Sequence, residues 1–252
     1  MNVFVTGYPR SGNTWVNRLL SDLLDSPMTT PAPNAENATK FCKTGNGGYT
    51  IFKTHWAPFS LWSDRERGVK DPADFYIHDY WRGQVPIVFV QRDPRDVAVS
   101  AMFYLDLKPT AANLRLVVLG MVDGDYWLRA NAGIYHVQGA YLDFVQGWLD
   151  EPKAIKIKYE DLHHNPIDTM AGVLAKITAK HYSKLEIAAA FERLAFYKWE
   201  PEYPHSMRRG QVGDWRHHFN QANGALITEA LGNLMLSQDY TDSRGWWEGL
   251  PK

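Results

Sequence analysis

A short apolar segment at the amino terminus runs through a compact turn into an amphipathic helix. Residues 3–6, Val-Phe-Val-Thr, predict a buried strand that stops at Gly7. From Thr14 onward the apolar spacing becomes helical, with one face formed by Trp15, Leu19, Leu20, Leu23 and Leu24. A strand that turns directly into a helix indicates the opening unit of an α/β protein.

The same alternation continues along the chain. Further strands are predicted at 49–53, 86–90 and 155–159, and helices at 95–104, 141–149, 166–178, 184–197 and 222–236. The strand at 86–90 is a continuous apolar run, which is typical of a parallel strand covered on both faces. The alternation predicts right-handed βαβ units and an α/β fold of three layers, with a central, mostly parallel sheet flanked by helices. Since no internal repeat is present, we expect a single domain over residues 1–252.

Charge and cysteine content exclude several kinds of partner. The formal net charge of −1 gives the chain no overall field for binding nucleic acid or an anionic membrane. The longest apolar run elsewhere, Leu116–Val122, is far shorter than the roughly 20 residues that span a bilayer. Cys42 is the only cysteine, so an intrachain disulfide is excluded and a reducing compartment fits. Met1-Asn2 leaves no room for a signal peptide before the first strand, and we expect a cytoplasmic protein. The oligomeric state stays open.

The turn over residues 7–14 has the glycine spacing of a nucleotide-binding P-loop, with one substitution. Asn13 stands where that motif requires lysine, although Arg10 inside the loop can supply positive charge. Curled backbone N–H groups and a helix N-terminus would still face an oxyanion. Glycine-rich turns are also common between strands and helices of α/β proteins, and this loop alone leaves that alternative open.

The end of the strand at 86–90 argues against ATP–Mg²⁺ chemistry. In a P-loop NTPase an apolar strand ends in an aspartate that helps to hold Mg²⁺. Here Gln91-Arg92 follows the strand, so a cation occupies the place of the carboxylate, with Asp93 and Asp96 nearby. A missing P-loop lysine together with this arginine favours a ligand whose additional phosphate needs direct protein contacts.

Four segments together resemble the motifs of the sulfotransferases that depend on 3′-phosphoadenosine-5′-phosphosulfate (PAPS). Residues 8–15 resemble the 5′-phosphosulfate loop of that family, Y-P-K-S-G-T-T-W, and residues 90–100 resemble its 3′-phosphate motif. Phe52-Lys53-Thr54-His55 is similar to the K-T-H segment, and residues 208–215 resemble the carboxy-terminal R-K-G-x-x-G-D-W loop. The four segments follow the family's order from one end of the chain to the other. The chain is thereby identified as a member of the family.

The resemblance implies a P-loop-like fold and transfer of a sulfuryl group from PAPS to a hydroxyl, less readily an amine, of a small-molecule acceptor. Transfer would be an in-line displacement without a metal, leaving adenosine 3′,5′-bisphosphate (PAP). By resemblance, the 5′-phosphosulfate is held by Arg10, Ser11, Gly12, Asn13 and Thr14. The 3′-phosphate is held by Arg92, Ser100, Arg208, Arg209 and Gly210. Trp15 would stack on the adenine, with Tyr159 and Phe196 near the nucleotide, although each of these three aromatics could equally be a core residue.

The resemblance also assigns the catalytic roles. His55 would take the proton of the acceptor hydroxyl as it attacks sulfur, and an ordinary histidine pKa near 6.5 suits neutral pH. Lys53 would stabilise charge on the oxygen that bridges sulfur and the departing phosphate. Arg10 replaces the family's frequent lysine, which keeps the charge and changes the geometry.

Other functions remain to be weighed against this one. A carbohydrate sulfotransferase is possible within the same class, and a non-catalytic nucleotide-binding module outside it. A nucleotide kinase or NTPase fits least, because Asn13 replaces the working lysine. The acceptor stays undefined, and segments 26–50 and 106–140 are the candidates for forming its pocket.

Overall fold

The computed structural model describes residues 1–26, 28–29, 48–55, 85–124, 140–195 and 209–252, with the backbone alone at 28–29. The strands are β1 Asn2–Thr6, β2 Met28–Thr29, β3 Thr50–Lys53, β4 Ile87–Gln91 and β5 Ile155–Lys158. The α-helices are α1 Asn13–Leu23, α2 Pro94–Tyr104, α3 Ala111–Asp123, α4 Tyr141–Asp150, α5 Tyr159–His164, α6 Pro166–Ile177, α7 Lys184–Arg193 and α8 Gln221–Ser237. A 3₁₀-helix covers Asp214–His217.

The strands form one parallel sheet in the order β2-β3-β1-β4-β5. β1 lies at its centre, with Val3 opposite Ile51 of β3 and Val5 opposite Val88 of β4. Because the strands are parallel, the segments that follow β1, β3 and β4 leave the sheet at the same edge. In open α/β sheets this edge is where ligands bind.

Helices cover both faces of the sheet. Side chains alternate along a strand, so Phe4 packs in one core with α2, α3, α4 and α8. Val3 and Val5 point the other way and pack with α1, α5, α6 and α7. The predicted α/β architecture, a central parallel sheet between two helical layers, is therefore confirmed. No helix in the described part of the chain is long and apolar enough to span a membrane.

Some element boundaries differ from the sequence prediction. No element was predicted in 106–140, yet α3 lies there; the Thr110 hydroxyl accepts from the Asn113 N–H at 3.2 Å and Gly124 ends the helix at φ 76°. Tyr159 begins a helix and does not end β5. The helix predicted to reach residue 197 ends at Arg193. Capping thus accounts for the ends of α3, whereas no side chain caps the start of α5.

Candidate active site

The loop between β1 and α1 opens with a tight turn. The Ser11 N–H donates to the Tyr8 carbonyl at 3.1 Å, and Arg10 has a φ of 73°. With Pro9 in the second position and a positive φ in the third, this is a type II turn. Glycine usually occupies the third position, because a left-handed conformation costs a side-chain-bearing residue about 1–3 kcal/mol. Arg10 therefore sits in a strained conformation that its contacts must offset.

Gly12 completes the loop and starts α1. Its φ is 103°, and the N–H groups of Trp15 and Val16 donate to its carbonyl at 3.0 and 3.2 Å. A Cβ at this position would lie 2.4 Å from Cδ2 of Tyr159. The buried Tyr159 ring thus packs directly against the loop, which places this predicted nucleotide residue beside the predicted phosphate site.

The Gly7 carbonyl holds two side chains at the carboxyl edge of the sheet. Nδ2 of the buried Asn13 donates to it at 2.8 Å, and Nδ1 of His55 lies 2.9 Å from it. Since a carbonyl oxygen can only accept, the contact with Gly7 is a hydrogen bond when the ring proton is on Nδ1. Nδ2 of Asn13 also lies 3.1 Å from this ring nitrogen, and in that tautomer its N–H groups serve Gly7 and not the ring. The lone pair of the neutral ring is then on Nε2.

Burial keeps His55 neutral. It lowers the pKa of the imidazole to about 4, and the positive charges of Lys53 and Arg10 lower it further. The hydrogen bond to Gly7 opposes this shift but does not cancel it. At neutral pH the ring is therefore in the unprotonated form that a general base requires.

Lys53 ends β3 and lies beside the start of α1. Its Nζ donates to the Thr14 hydroxyl at 3.3 Å. Burial lowers the pKa of this ammonium, and the charges of Arg10 and Arg18 add to the effect. Positive side chains thus gather where the N–H groups of the helix N-terminus already favour an anion.

Arg92 joins the loop to the carboxy-terminal part of the chain. It follows β4, and its Nη1 donates to the Arg10 carbonyl at 3.1 Å while Nη2 donates to the Gln211 carbonyl at 2.8 Å. Its guanidinium carbon lies 4.2 Å from the centre of the Tyr159 ring. The residue predicted to bind the 3′-phosphate is therefore fixed on two sides by backbone and on a third by an aromatic face.

The Arg10 side chain leaves its own loop and reaches α2. Its Nε donates to the Ser100 hydroxyl at 3.2 Å, and its guanidinium carbon lies 4.5 Å from the centre of the Tyr104 ring. Ser100 and Tyr104 are four residues apart and so share one face of the helix. The structure thereby brings Arg10 and Ser100 together, along with Arg92, which holds the Arg10 backbone.

The segment after residue 209 closes against these groups. Its backbone is tied to α2 by Asp96, whose carboxylate accepts from the N–H of Gly213 at 2.7 Å and of Trp215 at 3.0 Å. The half-exposed Arg209 donates to Asp214 at 3.1 Å, and Gly210 takes a φ of 60°. The sequence analysis considered Asp96 only as a carboxylate that could hold Mg²⁺. The structure shows instead that it fastens this segment to α2. Arg208 and Phe196 lie outside the described residues.

A family profile described as the sulfotransferase domain matches residues 1–237. The chain belongs to the sulfotransferase family. Membership makes PAPS-dependent sulfuryl transfer its reaction class, as the four segments predicted. Among curated relatives, the 3-alpha-hydroxysteroid sulfotransferase of the guinea pig (Cavia porcellus) is 23% identical over 257 residues, covering 90% of this chain and 81% of the relative. Human sulfotransferase 2B1 is 22% identical, covering 93% and 66%.

Two solved structures with the sulfotransferase fold align with most of this chain. Mouse sulfotransferase SULT7A1 complexed with PAP aligns with a TM-score of 0.68 at 18% identity, over 95% of this chain and 85% of that chain. Retinol dehydratase in a complex with retinol and PAP aligns with a TM-score of 0.64 at 18% identity, over 93% and 81%. The predicted P-loop-like fold is confirmed by these similarities.

Two buried donors of this sulfotransferase fit an oxyanion ligand. Within the described residues, the Ser11 hydroxyl and Nε of Arg92 are buried and have no hydrogen-bond partner. A buried polar group without a partner costs about 1–3 kcal/mol. Phosphate oxygens of PAPS are acceptors that would satisfy both donors, so the residues present fit the nucleotide.

Trp15 of the sulfotransferase lies at the edge of this region in an aromatic group. Its ring centre is 5.7 Å from that of Tyr159, 5.1 Å from that of His163 and 5.8 Å from that of Phe191. Trp15 is half-buried. These contacts agree with both of its predicted roles, adenine stacking and core packing. In the described segments no three His, Cys, Asp or Glu side chains lie close enough together to hold a metal ion.

Proposed function

We propose that this sulfotransferase moves the sulfuryl group of PAPS to a hydroxyl of a small-molecule acceptor, with His55 as the general base. The observation that carries the proposal is the contact between His55 Nδ1 and the Gly7 carbonyl at 2.9 Å. It orients a neutral imidazole with its lone pair on Nε2, at the sheet edge that also bears Lys53 and the phosphate loop.

The chemical step assigns a separate task to each group. The acceptor hydroxyl gives its proton to Nε2 of His55 as its oxygen forms a bond to sulfur. The bond from sulfur to the 5′-phosphate oxygen breaks, and its electron pair leaves with that oxygen. Lys53, whose Nζ donates to the Thr14 hydroxyl at 3.3 Å, would stabilise the charge that develops on the departing oxygen.

The remaining residues bind the nucleotide. Backbone N–H groups from Gly12 to Thr14 and the Ser11 hydroxyl would face the 5′-phosphosulfate, since the Ser11 N–H is already bonded to Tyr8. Arg92 and Ser100 bind the 3′-phosphate, and the segment carrying Arg209 and Gly210 closes over it. Binding two phosphates with fixed donors orients the sulfur for in-line attack, which lowers the entropic part of the barrier.

The acceptor class rests on the relatives. One relative is named for a 3-alpha-hydroxysteroid and one neighbour was solved with retinol, both small alcohols. A hydroxyl of a small, largely apolar molecule is therefore the acceptor that we propose, in preference to a carbohydrate. Much of segments 26–50 and 106–140 lies outside the described residues. A single domain over residues 1–252 and a cytoplasmic location belong to the same proposal.

Thermal shift tests the nucleotide. At 100 times its dissociation constant PAP should add about 2.7 kcal/mol of stability. That raises the melting temperature by roughly 5–10 °C for a domain of this size, and should do so in the presence of EDTA. Stabilisation by ATP–Mg²⁺ but not by PAP would contradict the proposal and favour an NTPase.

A transfer assay tests the reaction. ³⁵S-labelled PAPS is incubated with matched panels of alcohols, phenols, amines and sugars, and labelled product is separated by chromatography. We expect label on alcohols or phenols. Label on sugars alone would indicate a carbohydrate sulfotransferase, and tight PAP binding without label on any acceptor would favour a non-catalytic module.

A further inference from the structure

We propose that Trp246 is a positioning residue for the 3′-phosphate end of the nucleotide site. This rests on the proposed function, because it takes PAPS as the donor. Trp246 lies in residues 238–252, which follow the part of the chain that the family profile matches. Its ring packs on Arg95 and Trp215, and each of these belongs to one of the two segments that meet at Arg92.

Hydrogen bonds fix the end of the chain along α8. Nε2 of Gln221 donates to the carbonyls of Glu248 and Leu250 at 2.9 and 3.0 Å. Nε1 of Trp246 donates to the Thr228 hydroxyl at 2.9 Å. The orientation of the half-buried indole is therefore set by a helix outside the nucleotide site.

The Arg95 guanidinium contacts two aromatic rings at once. Its carbon lies 3.9 Å from the centre of the Trp215 ring and 4.5 Å from that of the Trp246 ring. The two rings are inclined at 78°, with their centres 4.9 Å apart. Attraction between a cation and a ring is strongest when the cation is desolvated, and Arg95 is buried. The two rings thus form a corner that fixes the position of Arg95.

Arg95 passes this position on to the residue after Arg92. Its Nε donates to Oδ1 of Asp93 at 2.9 Å and its Nη2 to Oδ2 at 2.6 Å, which is a bidentate ion pair. Nη2 also donates to the Tyr240 carbonyl. Both partners of the ion pair are buried, and a buried pair depends on good geometry because misplaced charges are not compensated. The backbone that carries Arg92 therefore depends on where Trp246 holds Arg95.

Trp215 belongs to the second segment, the one after residue 209. Its N–H donates to Asp96 at 3.0 Å. The same segment supplies the Gln211 carbonyl to which Nη2 of Arg92 donates at 2.8 Å. Trp246 thus braces both segments that meet at Arg92. A ligand that needs both of them, a nucleotide with a 3′-phosphate, should be sensitive to the loss of this ring.

The experiment compares two nucleotides that differ only in the 3′-phosphate, PAP and AMP. Dissociation constants are measured by calorimetry at fixed ionic strength for the unmodified enzyme, Trp246→Leu and Trp246→Phe. Leucine is apolar but has no aromatic face. We expect Trp246→Leu to weaken PAP about 3–30-fold, the range of a lost contact between a desolvated cation and a ring, and AMP by no more than about 2-fold. Trp246→Phe should weaken PAP less, because it keeps a face for Arg95.

Two further variants make the comparison specific. Trp247→Leu is the matched control, because it makes the same change in the next residue, whose side chain packs on Gly224 of α8. It should leave the ratio of the two dissociation constants unchanged. Thr228→Val removes the hydroxyl that holds the indole and keeps the shape of the side chain. Loss of that hydrogen bond should weaken PAP about 2–5-fold and leave AMP unchanged, which tests the inference even if Trp246→Leu does not fold.

The outcomes separate this inference from the proposed function. If Trp246→Leu is less stable but keeps the PAP-to-AMP ratio of the unmodified enzyme, the ring is structural only and the inference is overturned. An unchanged ratio in Thr228→Val, or an equal shift in Trp247→Leu, would overturn it as well. If the unmodified enzyme binds PAP no more tightly than AMP, the proposed function itself fails, whatever the variants do.

Discussion

The carboxylate of Asp96 accepts a hydrogen bond from the Gly213 N–H at 2.7 Å, across 117 residues of sequence. Its other oxygen accepts from the Trp215 N–H at 3.0 Å. These bonds fasten the segment after residue 209 to the helix that carries Ser100. The same segment supplies the Gln211 carbonyl to which Arg92 donates, so we expect Asp96 to position Arg92, the residue predicted to bind the 3′-phosphate.

Asp96→Asn tests this positioning role. An asparagine has one acceptor oxygen, so one of the two backbone donors loses its partner and faces an NH₂ group, at a cost of about 1–3 kcal/mol. We expect the dissociation constant of PAP to rise about 10-fold while that of AMP changes by less than about 3-fold. Calorimetric titration measures both.

Asp123→Asn is the matched control for Asp96→Asn, because it removes an exposed carboxylate from α3. It should leave PAP affinity and the free energy of unfolding unchanged. If Asp96→Asn lowers stability but leaves the PAP-to-AMP affinity ratio intact, Asp96 is structural only and the positioning role is wrong.

The sequence predicted the sheet and the family because both depend on local pattern. The apolar run ending at Val90 and the glycines of the loop can be interpreted from the adjacent residues alone. The direction of the Arg10 side chain could not be predicted, because it depends on Ser100, Tyr104 and a peptide held by Arg92. Pro9 was a local signal for a turn, but proline occupies this position in type I as well as type II turns and so does not determine the φ of the next residue.

Asp96 and α3 were missed for different physical reasons. Asp96 lies in a motif segment, but its partners are backbone N–H groups of a distant segment. Every residue type except proline has such a group, so the amino-acid sequence does not reveal the pairing. For α3 the signals were local: Thr110 caps its start and Gly124 ends it. They were missed because the prediction placed helices by apolar spacing and not by capping residues. Contacts between distant segments and capping chemistry therefore account for what pattern reasoning did not find.

Replacement of His55 by alanine should remove the base and spare the nucleotide. Loss of a general base costs about 10²–10⁴-fold in kcat, and we expect PAP affinity to change by less than about 3-fold. His164→Ala, which alters an exposed histidine, should retain full turnover. Labelled transfer and calorimetry provide the two measurements. Near-normal turnover of His55→Ala would show that another group takes the proton.

The pH dependence of the unmodified enzyme gives an independent test of the same base. With a pKa of about 4, His55 is unprotonated above roughly pH 5, so kcat/KM for PAPS should be flat from there to neutral pH and fall toward pH 4. A bound phosphosulfate favours the imidazolium and raises this pKa. The acid limb of kcat should therefore lie at higher pH than that of kcat/KM. Coincident limbs near pH 6.5 would contradict the buried, neutral ring.

Gly12→Ala should disrupt the loop through sterics alone. Its φ of 103° disfavours any side chain, and the added Cβ would lie 2.4 Å from Tyr159. Together these should lower the free energy of unfolding by about 2–4 kcal/mol and abolish PAP binding. Gly172→Ala is the matched control, because its Cβ would meet open space within α6. There alanine should raise stability by about 0.5–1 kcal/mol. Urea denaturation that shows equal effects at the two glycines would refute the steric argument.

Glu160 of α5 contacts the backbone next to Arg92 and makes the stability of the fold depend on pH. Its Oε1 accepts from the Asp93 N–H at 3.0 Å, and burial raises the pKa of the carboxyl to about 7 from an ordinary 4.5. Between these two values the folded state binds the proton more tightly than the unfolded state. Stability from this group is therefore present at pH 4.5 and is lost as the pH rises through 7.

Glu160→Gln should remove that dependence, because a glutamine keeps the carbonyl acceptor for Asp93 and cannot ionise. The variant should match the unmodified protein near pH 5 and exceed its free energy of unfolding by about 1–3 kcal/mol at pH 8. Urea denaturation at pH 5, 6, 7 and 8 measures the difference, in which the titrations of other groups cancel. Glu229→Gln, an exposed replacement on α8, should give a difference near zero at every pH. A Glu160→Gln difference that stays constant from pH 5 to 8 would mean that Glu160 titrates as an ordinary surface carboxyl.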